Sequence, residues 1–265
     1  MNQDHISTAN KLSDITRLPP ACNRCEDLDD LDFDFCFAYQ PIVDFHTKGI
    51  FAHEALVRGI NGESAYSILA KVNDNNRYRF DQSCRVKAVK LAAELGMQEL
   101  LSINFLPNAV YEPMACIRLT LDAAKKFNFP KEQIIFEVVE GEHVSDRKHL
   151  INIFEEYRNM GFSTAIDDFG AGYSGLNLLS EFQPDIIKID MDLVRNIDTN
   201  KAKQAIVSGI VHICKQLNIQ VLAEGIETKA ERDFLLRTGI NLLQGYLFCK
   251  PAFQAIGKID KDAWL

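Results

Sequence analysis

Apolar and polar positions along this chain change period in a repeating order. Short apolar runs of strand length, FCFAYQPIV (35–43), FAHEAL (51–56), LLSIN, IIFEV, STAID, DIIKID, QVLAE and LLQGYLF, alternate with stretches of helical spacing. In RFDQSCRVKAVKLAAEL the series Phe80, Cys84, Ala88, Leu91 and Leu95 marks one helix face. CIRLTLDAAKKF, HLINIFEEYRNM (closed by Gly161), AKQAIVSGIVHICKQL and AERDFLLRTG read as helices too, and a short one follows Gly175. Strand-helix alternation over such a length predicts an α/β fold with parallel strands and crossover helices. About eight strands is the number that closes a TIM-like (β/α)₈ barrel. The first two strands stand too close for a crossover helix. Residues 35–43 and 51–56 are therefore expected to pair as a hairpin, which makes the barrel irregular with an antiparallel first strand.

Residues 1–33 do not share this rhythm. They are polar, then acidic, with Glu26, Asp27, Asp29, Asp30 and Asp32 almost together and Asp34 just beyond. They read as a flexible arm, or one ordered on docking to a regulatory protein, ahead of a barrel over 34–265. The arm holds Cys22 and Cys25 in a C-x-x-C, but a structural zinc site needs four ligands and no second pair follows. With seven cysteines, an odd number, scattered along the chain, reduced thiols and a cytoplasmic setting are the expectation. No run of 18 apolar residues occurs, and the N-terminus lacks the layout of a secretion signal, so no membrane association is expected. A net charge of -8 argues against DNA or RNA as partners. It leaves room for a small phosphate ligand, since metal ions supply positive charge locally.

The chemistry sits at the strand ends. Glu54, Asn104, Glu137, Asp167 with Asp168, Lys188, Glu224 and Gln244 each lie at or near the end of an apolar run. In a barrel those ends converge on one mouth. One acid after a strand is usually a helix N-cap; so many acids and an amide at successive strand ends are not explained that way. Carboxylates packed without partners would repel one another, and divalent cations relieve the conflict. All-oxygen ligation suits Mg²⁺ or Mn²⁺ rather than zinc. Adjacent Asp167 and Asp168 let one strand end serve two ions, the arrangement that supports in-line phosphoryl displacement.

Two shorter patterns compete. Gly170, Gly172 and Gly175 spell G-x-G-x-x-G, with Asp190 about twenty residues on as a candidate ribose acid. Two aspartates directly before the loop would repel a pyrophosphate, and Asp190 belongs to the next strand. Asp168-Phe169-Gly170 resembles the kinase metal motif, but no glycine-rich or H-R-D loop precedes it. The glycines read better as a loop at the mouth, free to close over substrate.

YQPIVDFHTKGIFAHEALVRG, LSINFLP, FEVVE, AIDDFGAGYSGLNLL, DIIKID, LAEGIE and QGYLFCKP, in that order and spacing, resemble the signatures of EAL domains, bacterial cyclic di-GMP-specific phosphodiesterases. The match runs from about Tyr39 to Pro251. The resemblance implies a barrel that hydrolyses cyclic di-GMP to linear pGpG with two Mg²⁺ or Mn²⁺ ions, Ca²⁺ being inhibitory. By motif it implies metal ligation by Glu54, Asn104, Glu137 and Asp167, with Asp168 and Glu224 on the second ion. Lys188 matches the lysine near the attacking water. Gln40 and Arg58 match nucleotide contacts, and Gln244 a residue closing the mouth. Glu140 and Glu227 match supporting acids, Glu140 steadying the loop of Gly170 and Gly172. The family's usual hydroxyls are replaced by Val139, Ala171 and Gly175, which touches loop ordering rather than ligation.

Plainer roles stand beside these. Gln40 is read equally as strand-end packing, Lys188 as a structural counter-charge, and Arg58 as a surface ion pair. Tyr39, Phe105 and Phe169 are read as packing residues, all six histidines as surface or packing, and Asp81 and Arg85 as a pair one turn apart on a helix face. The rival to the enzyme is a receptor module that holds cyclic di-GMP uncut. A third reading is a metal-dependent proton-abstracting barrel with Lys188 as base. A homodimer formed near the glycine loop is also left open.

Overall fold

Nine strands and nine helices are present in the described residues, 31–139, 147–171 and 175–265, of the computed structural model. The strands are β1 (Cys36–Asp44), β2 (Gly49–Arg58), β3 (Leu100–Asn104), β4 (Ile134–Val139), β5 (Ser163–Phe169), β6 (Ile186–Ile189), β7 (Gln220–Ala223), β8 (Leu242–Leu243) and β9 (Ala252–Phe253). The helices are α1 (Ala65–Leu69), α2 (Arg77–Glu94), α3 (Pro113–Cys116), α4 (Arg118–Lys126), α5 (Arg147–Asn159), α6 (Gly175–Glu181), α7 (Met191–Val194), α8 (Lys201–Gln216) and α9 (Lys229–Thr238). Strands β2 to β8 pair in parallel in chain order. The first strand, β1, lies antiparallel between β8 and β2 and closes the barrel. The expected hairpin is therefore present, with Gln40 opposite Glu54. The short β9 pairs outside the ring along β1. No helix is long and apolar enough to cross a membrane among the described residues.

The period of two along each strand builds the interior. Ile42, Ala52, Ile135, Ala165, Ile186, Leu222 and Leu242 form one buried apolar layer, with Leu100 and Phe51 against it. This plug fills the barrel as inward side chains do in closed barrels. Outward residues such as Leu101, Ile103, Phe136, Val138, Ile187 and Leu243 belong to the larger core under the helices. Two residues beyond each plug position, on the same inward face, stand Gln40, Glu54, Ser102, Glu137, Asp167, Lys188, Glu224 and Gln244. On antiparallel β1 the step runs backwards, from Ile42 to Gln40. The mouth is thus a polar layer laid directly on an apolar one.

The structure departs from the pattern after β8. The stretch LLQGYLF is expected to be a strand, but pairing stops after Leu243. The chain turns at Gly245, where a Cβ would stand 2.1 Å from the Ile226 carbonyl oxygen. That close approach lets Ile226 N–H donate to Gln244 O and Leu247 N–H to Ile226 O, at 3.1 and 3.0 Å. The helix expected over CIRLTLDAAKKF is present as α4, with the short α3 set just ahead of it. The C-terminal helix α9 follows its sequence signals. Thr228 and Glu231 form a capping box, and Gly239 ends the helix at φ 97°.

Candidate functional site

Period two would send adjacent Asp167 and Asp168 to opposite faces of β5. A bulge prevents this. Ile166 pairs with Ile187 but Phe169 with Ile189, so β5 carries one residue more than β6. The extra residue, Asp168, takes φ 52°, the left-handed region that aspartate tolerates better than most side chains. Both acids therefore serve the mouth. Asp168 N–H donates to its neighbour's Oδ1 at 2.8 Å.

Lys188 stands at the centre, fully buried. Its Nζ lies 2.6 Å from Glu224 Oε1, 2.8 Å from Glu137 Oε2, 3.1 Å from Asp167 Oδ2 and 3.6 Å from Glu54 Oε2. Burial alone would lower its pKa, but the surrounding carboxylates outweigh burial and hold the ammonium well above its usual range. The acids are shifted oppositely. Burial pushes Glu137 up to about 8, against the pull of Lys188. Glu224 is raised well above the carboxylate range by the same cause. Burial and the adjacent Asp167 charge bring Asp168 to about 6.

Amides and a hydroxyl hold the outer oxygens. Asn104 Nδ2 donates to Glu54 Oε1 at 3.1 Å, and Gln244 Nε2 to Glu54 Oε2 at 2.7 Å. Gln244 Nε2 also reaches Gln40 Oε1 at 3.3 Å, and Gln40 Nε2 donates to Cys249 O at 3.2 Å. Gln244 Oε1 is buried without a hydrogen-bond partner. Ser102 Oγ donates to Glu137 Oε1. Sequence reading missed Ser102; its signal is the alternation, two residues before Asn104 on the inward face.

Two groups of carboxylates have oxygens within 4.8 Å of one another: Glu54, Glu137 and Asp167, and Asp167, Asp168 and Glu224. Asp167 belongs to both. All donors are oxygen, the chemistry of hard divalent cations such as Mg²⁺, Ca²⁺ or Mn²⁺. Five carboxylates face one ammonium, an excess of acid that divalent cations would balance once they displace the protons held there. The residues present therefore fit a divalent metal.

Not every candidate joins this cluster. Arg58 ends β2, and its guanidinium donates to Val57 O at 2.7 Å. Glu227 is exposed and pairs with Arg195 at 2.5 Å, tying the segment after β7 to the one after β6. Arg195 also holds the Glu227 carboxyl below its ordinary pKa. Gly170 is exposed at φ 101°, and a Cβ there would meet Leu193 at 2.6 Å. Glu140, Gly172, Cys22 and Cys25 lie outside the described residues. Tyr39, Phe105 and Phe169 are buried in the core, Tyr39 donating from its hydroxyl to Ala88 O at 2.7 Å. His53 is buried beside Glu99, 3.6 Å away and apart from the cluster. Asp190 caps α7 and accepts from Asp192 N–H at 2.8 Å.

A family model described as "EAL domain" matches residues 29–251. The blue light- and temperature-regulated antirepressor BluF of Escherichia coli is 36% identical over 230 residues, 86% of this chain and 56% of that protein. The cyclic di-GMP phosphodiesterase RocR of Pseudomonas aeruginosa is 28% identical over 246 residues, 90% of this chain and 62% of its own. The chain thus spans less than two thirds of either relative. A crystal structure of a standalone versatile EAL protein from Vibrio cholerae, in c-di-GMP-bound form, is 54% identical with a TM-score of 0.86, over 88% of this chain and 99% of that one.

Proposed function

The chain belongs to the EAL domain family, and from that premise we propose that it is a cytoplasmic, metal-dependent phosphodiesterase that opens cyclic di-GMP to linear pGpG. The observation that carries the reading is the pair of carboxylate triads sharing Asp167 around Lys188. A receptor needs no such set. Glu54, Asn104, Glu137 and Asp167 would hold one ion, and Asp167, Asp168 and Glu224 the other. When bound, Mg²⁺ or Mn²⁺ supplies a water made acidic enough to attack and neutralises the leaving 3′-oxygen. Ca²⁺ takes looser, higher coordination and is expected to inhibit.

The side chains do the remaining work. In the metal-free protein the surrounding carboxylates hold Lys188 protonated, which suits an electrostatic partner of the developing phosphorane charge better than a base. That disfavours the proton-abstraction reading. Ser102, Asn104 and Gln244 hold Glu137 and Glu54 in place. Gln244 Oε1 and the Gln40 amide offer polar groups to a guanine edge, and Arg58, released from Val57, offers a bidentate donor to phosphate. Gly170 and Gly172 give the mouth a loop able to close, with Glu140 and Glu227 in support. The reading extends to a homodimer near that loop and to a regulatory protein on the N-terminal arm. Incubation with cyclic di-GMP in Mg²⁺, Mn²⁺ or EDTA, read by chromatography, tests it. Linear product with either ion and none in EDTA is expected; nucleotide bound but left intact in both ions would mark a receptor.

A further inference from the structure

Helix α2 carries a charge pair where the core would ordinarily be apolar. The side chains of Asp81 and Arg85 are 1% and 0% exposed. The sequence places them one turn apart; it does not show that they face inward. Arg85 donates to Asp81 Oδ2, and its Nη1 reaches Tyr157 OH on α5 at 3.1 Å. The other oxygen of Asp81, Oδ1, accepts from the backbone N–H of Leu106 at 2.9 Å. A buried ion pair is rarely more stabilising than apolar residues of the same size. This one touches the backbone two residues beyond Asn104.

That position matters for the mouth. Asn104 is the last residue of β3 and pairs with Glu137. The next N–H, of Phe105, still donates to Glu137 O at 3.0 Å. Then the chain leaves the sheet into a tight turn over Pro107–Ala109. Two contacts set its direction. The Phe105 ring packs against Tyr157 at 5.7 Å between centroids, and Leu106 N–H is held by Asp81. Tyr157 is the same residue that Arg85 meets, so one buried network fixes both positions after Asn104. The amide of Asn104 has its nitrogen on Glu54, which leaves its oxygen as the donor toward an ion.

We propose that Asp81, clamped by Arg85, is a positioning residue: by accepting the Leu106 N–H it fixes the exit of β3 and presents the Asn104 amide to the metal-binding carboxylates. The proposal rests on the reading that this cluster binds divalent metal. Support behind a ligand commonly changes metal affinity by about 10–100-fold.

The test compares two double variants that both lack the buried charges. Asp81→Asn with Arg85→Met keeps an oxygen for Leu106 N–H; Asp81→Leu with Arg85→Met does not. Mn²⁺ affinity is measured on nucleotide-free protein by electron paramagnetic resonance. The first variant is expected within roughly threefold of the parent, the second weaker by roughly tenfold or more. Repeated in an Asn104→Ala background, the difference should vanish, because the network acts through that amide. Equal affinities of the two variants, or an undiminished difference without Asn104, would overturn the proposal. If the leucine variant does not fold, hydrogen exchange on the parent decides. The Leu106 amide should be as protected as the strand amides of β3, and exchange at an exposed-loop rate refutes the clamp. A parent protein that binds Mn²⁺ yet leaves cyclic di-GMP intact sinks the enzyme reading alone. One that binds no Mn²⁺ sinks both.

Discussion

Replacing Lys188 with methionine removes the ammonium that sits among the buried carboxylates and nearly preserves side-chain length. The group lies within 2.6–3.6 Å of four acids. Stripping one partner from a buried charge network costs about 3–5 kcal/mol. For a chain of this size each kcal/mol is worth about 2–4 °C in Tm, so the metal-free variant should melt roughly 6–20 °C lower at pH 8. The loss depends on pH in a definite direction. Glu137, at about 8 in the folded protein, and Glu224, raised well above 4.5, carry protons at pH 5, where less negative charge is left uncovered. The loss should therefore shrink at pH 5. Saturating Mn²⁺ should restore more stability to the variant than to the parent, since binding at a hundredfold excess over Kd contributes about 2.7 kcal/mol or more. Differential scanning calorimetry of both proteins, at pH 5 and 8, in EDTA and in Mn²⁺, reads all of this. A variant melting within about two degrees of the parent at pH 8 in EDTA would refute the reasoning.

Further outcomes follow from the same geometry. Glu137 at about 8, Asp168 at about 6 and the raised Glu224 mean that the metal-free cluster binds protons that an ion must displace. Mn²⁺ affinity should fall as pH drops from 8 to 5, with proton release visible in calorimetry across buffers of different ionisation enthalpy; pH-independent affinity would contradict this. Asp168→Asn should fold normally, because asparagine also accepts φ 52°, yet turn over more than about a hundredfold slower. Wild-type rates in a sample free of other phosphodiesterases would count against the ligand assignment. Gly245→Ala drives a Cβ to within 2.1 Å of the Ile226 carbonyl and should cost about 1–3 kcal/mol in denaturant melts. An unchanged midpoint would show that this turn can relax.

The barrel was legible because its evidence is periodic. Strand runs, helix faces and the short 43–51 gap that forces a hairpin are local patterns. So was most of the mouth, since polar residues ending apolar runs converge when parallel strands close. What escaped depends on contacts between distant segments. The end of β8 is set by Ile226 passing Gly245, which no local run announces. The bulge that turns both Asp167 and Asp168 to one centre is a mismatch between β5 and β6, invisible in either strand alone. Asp81 and Arg85 read as an ordinary i,i+4 pair, a spacing identical on solvent and core faces. In the sequence Lys188 reads either as a counter-charge or as a group beside the attacking water. The geometry shows four carboxylates meeting on its ammonium, a convergence that neither strand ends nor spacing announce.

The most direct test is a count of bound manganese. With two triads joined at Asp167, electron paramagnetic resonance titration of nucleotide-free protein at pH 8 should find two Mn²⁺ per chain, and Asp167→Asn should weaken both sites together. Retention of two tight ions by that variant, or no specific Mn²⁺ on the parent, would contradict a shared-carboxylate metal centre.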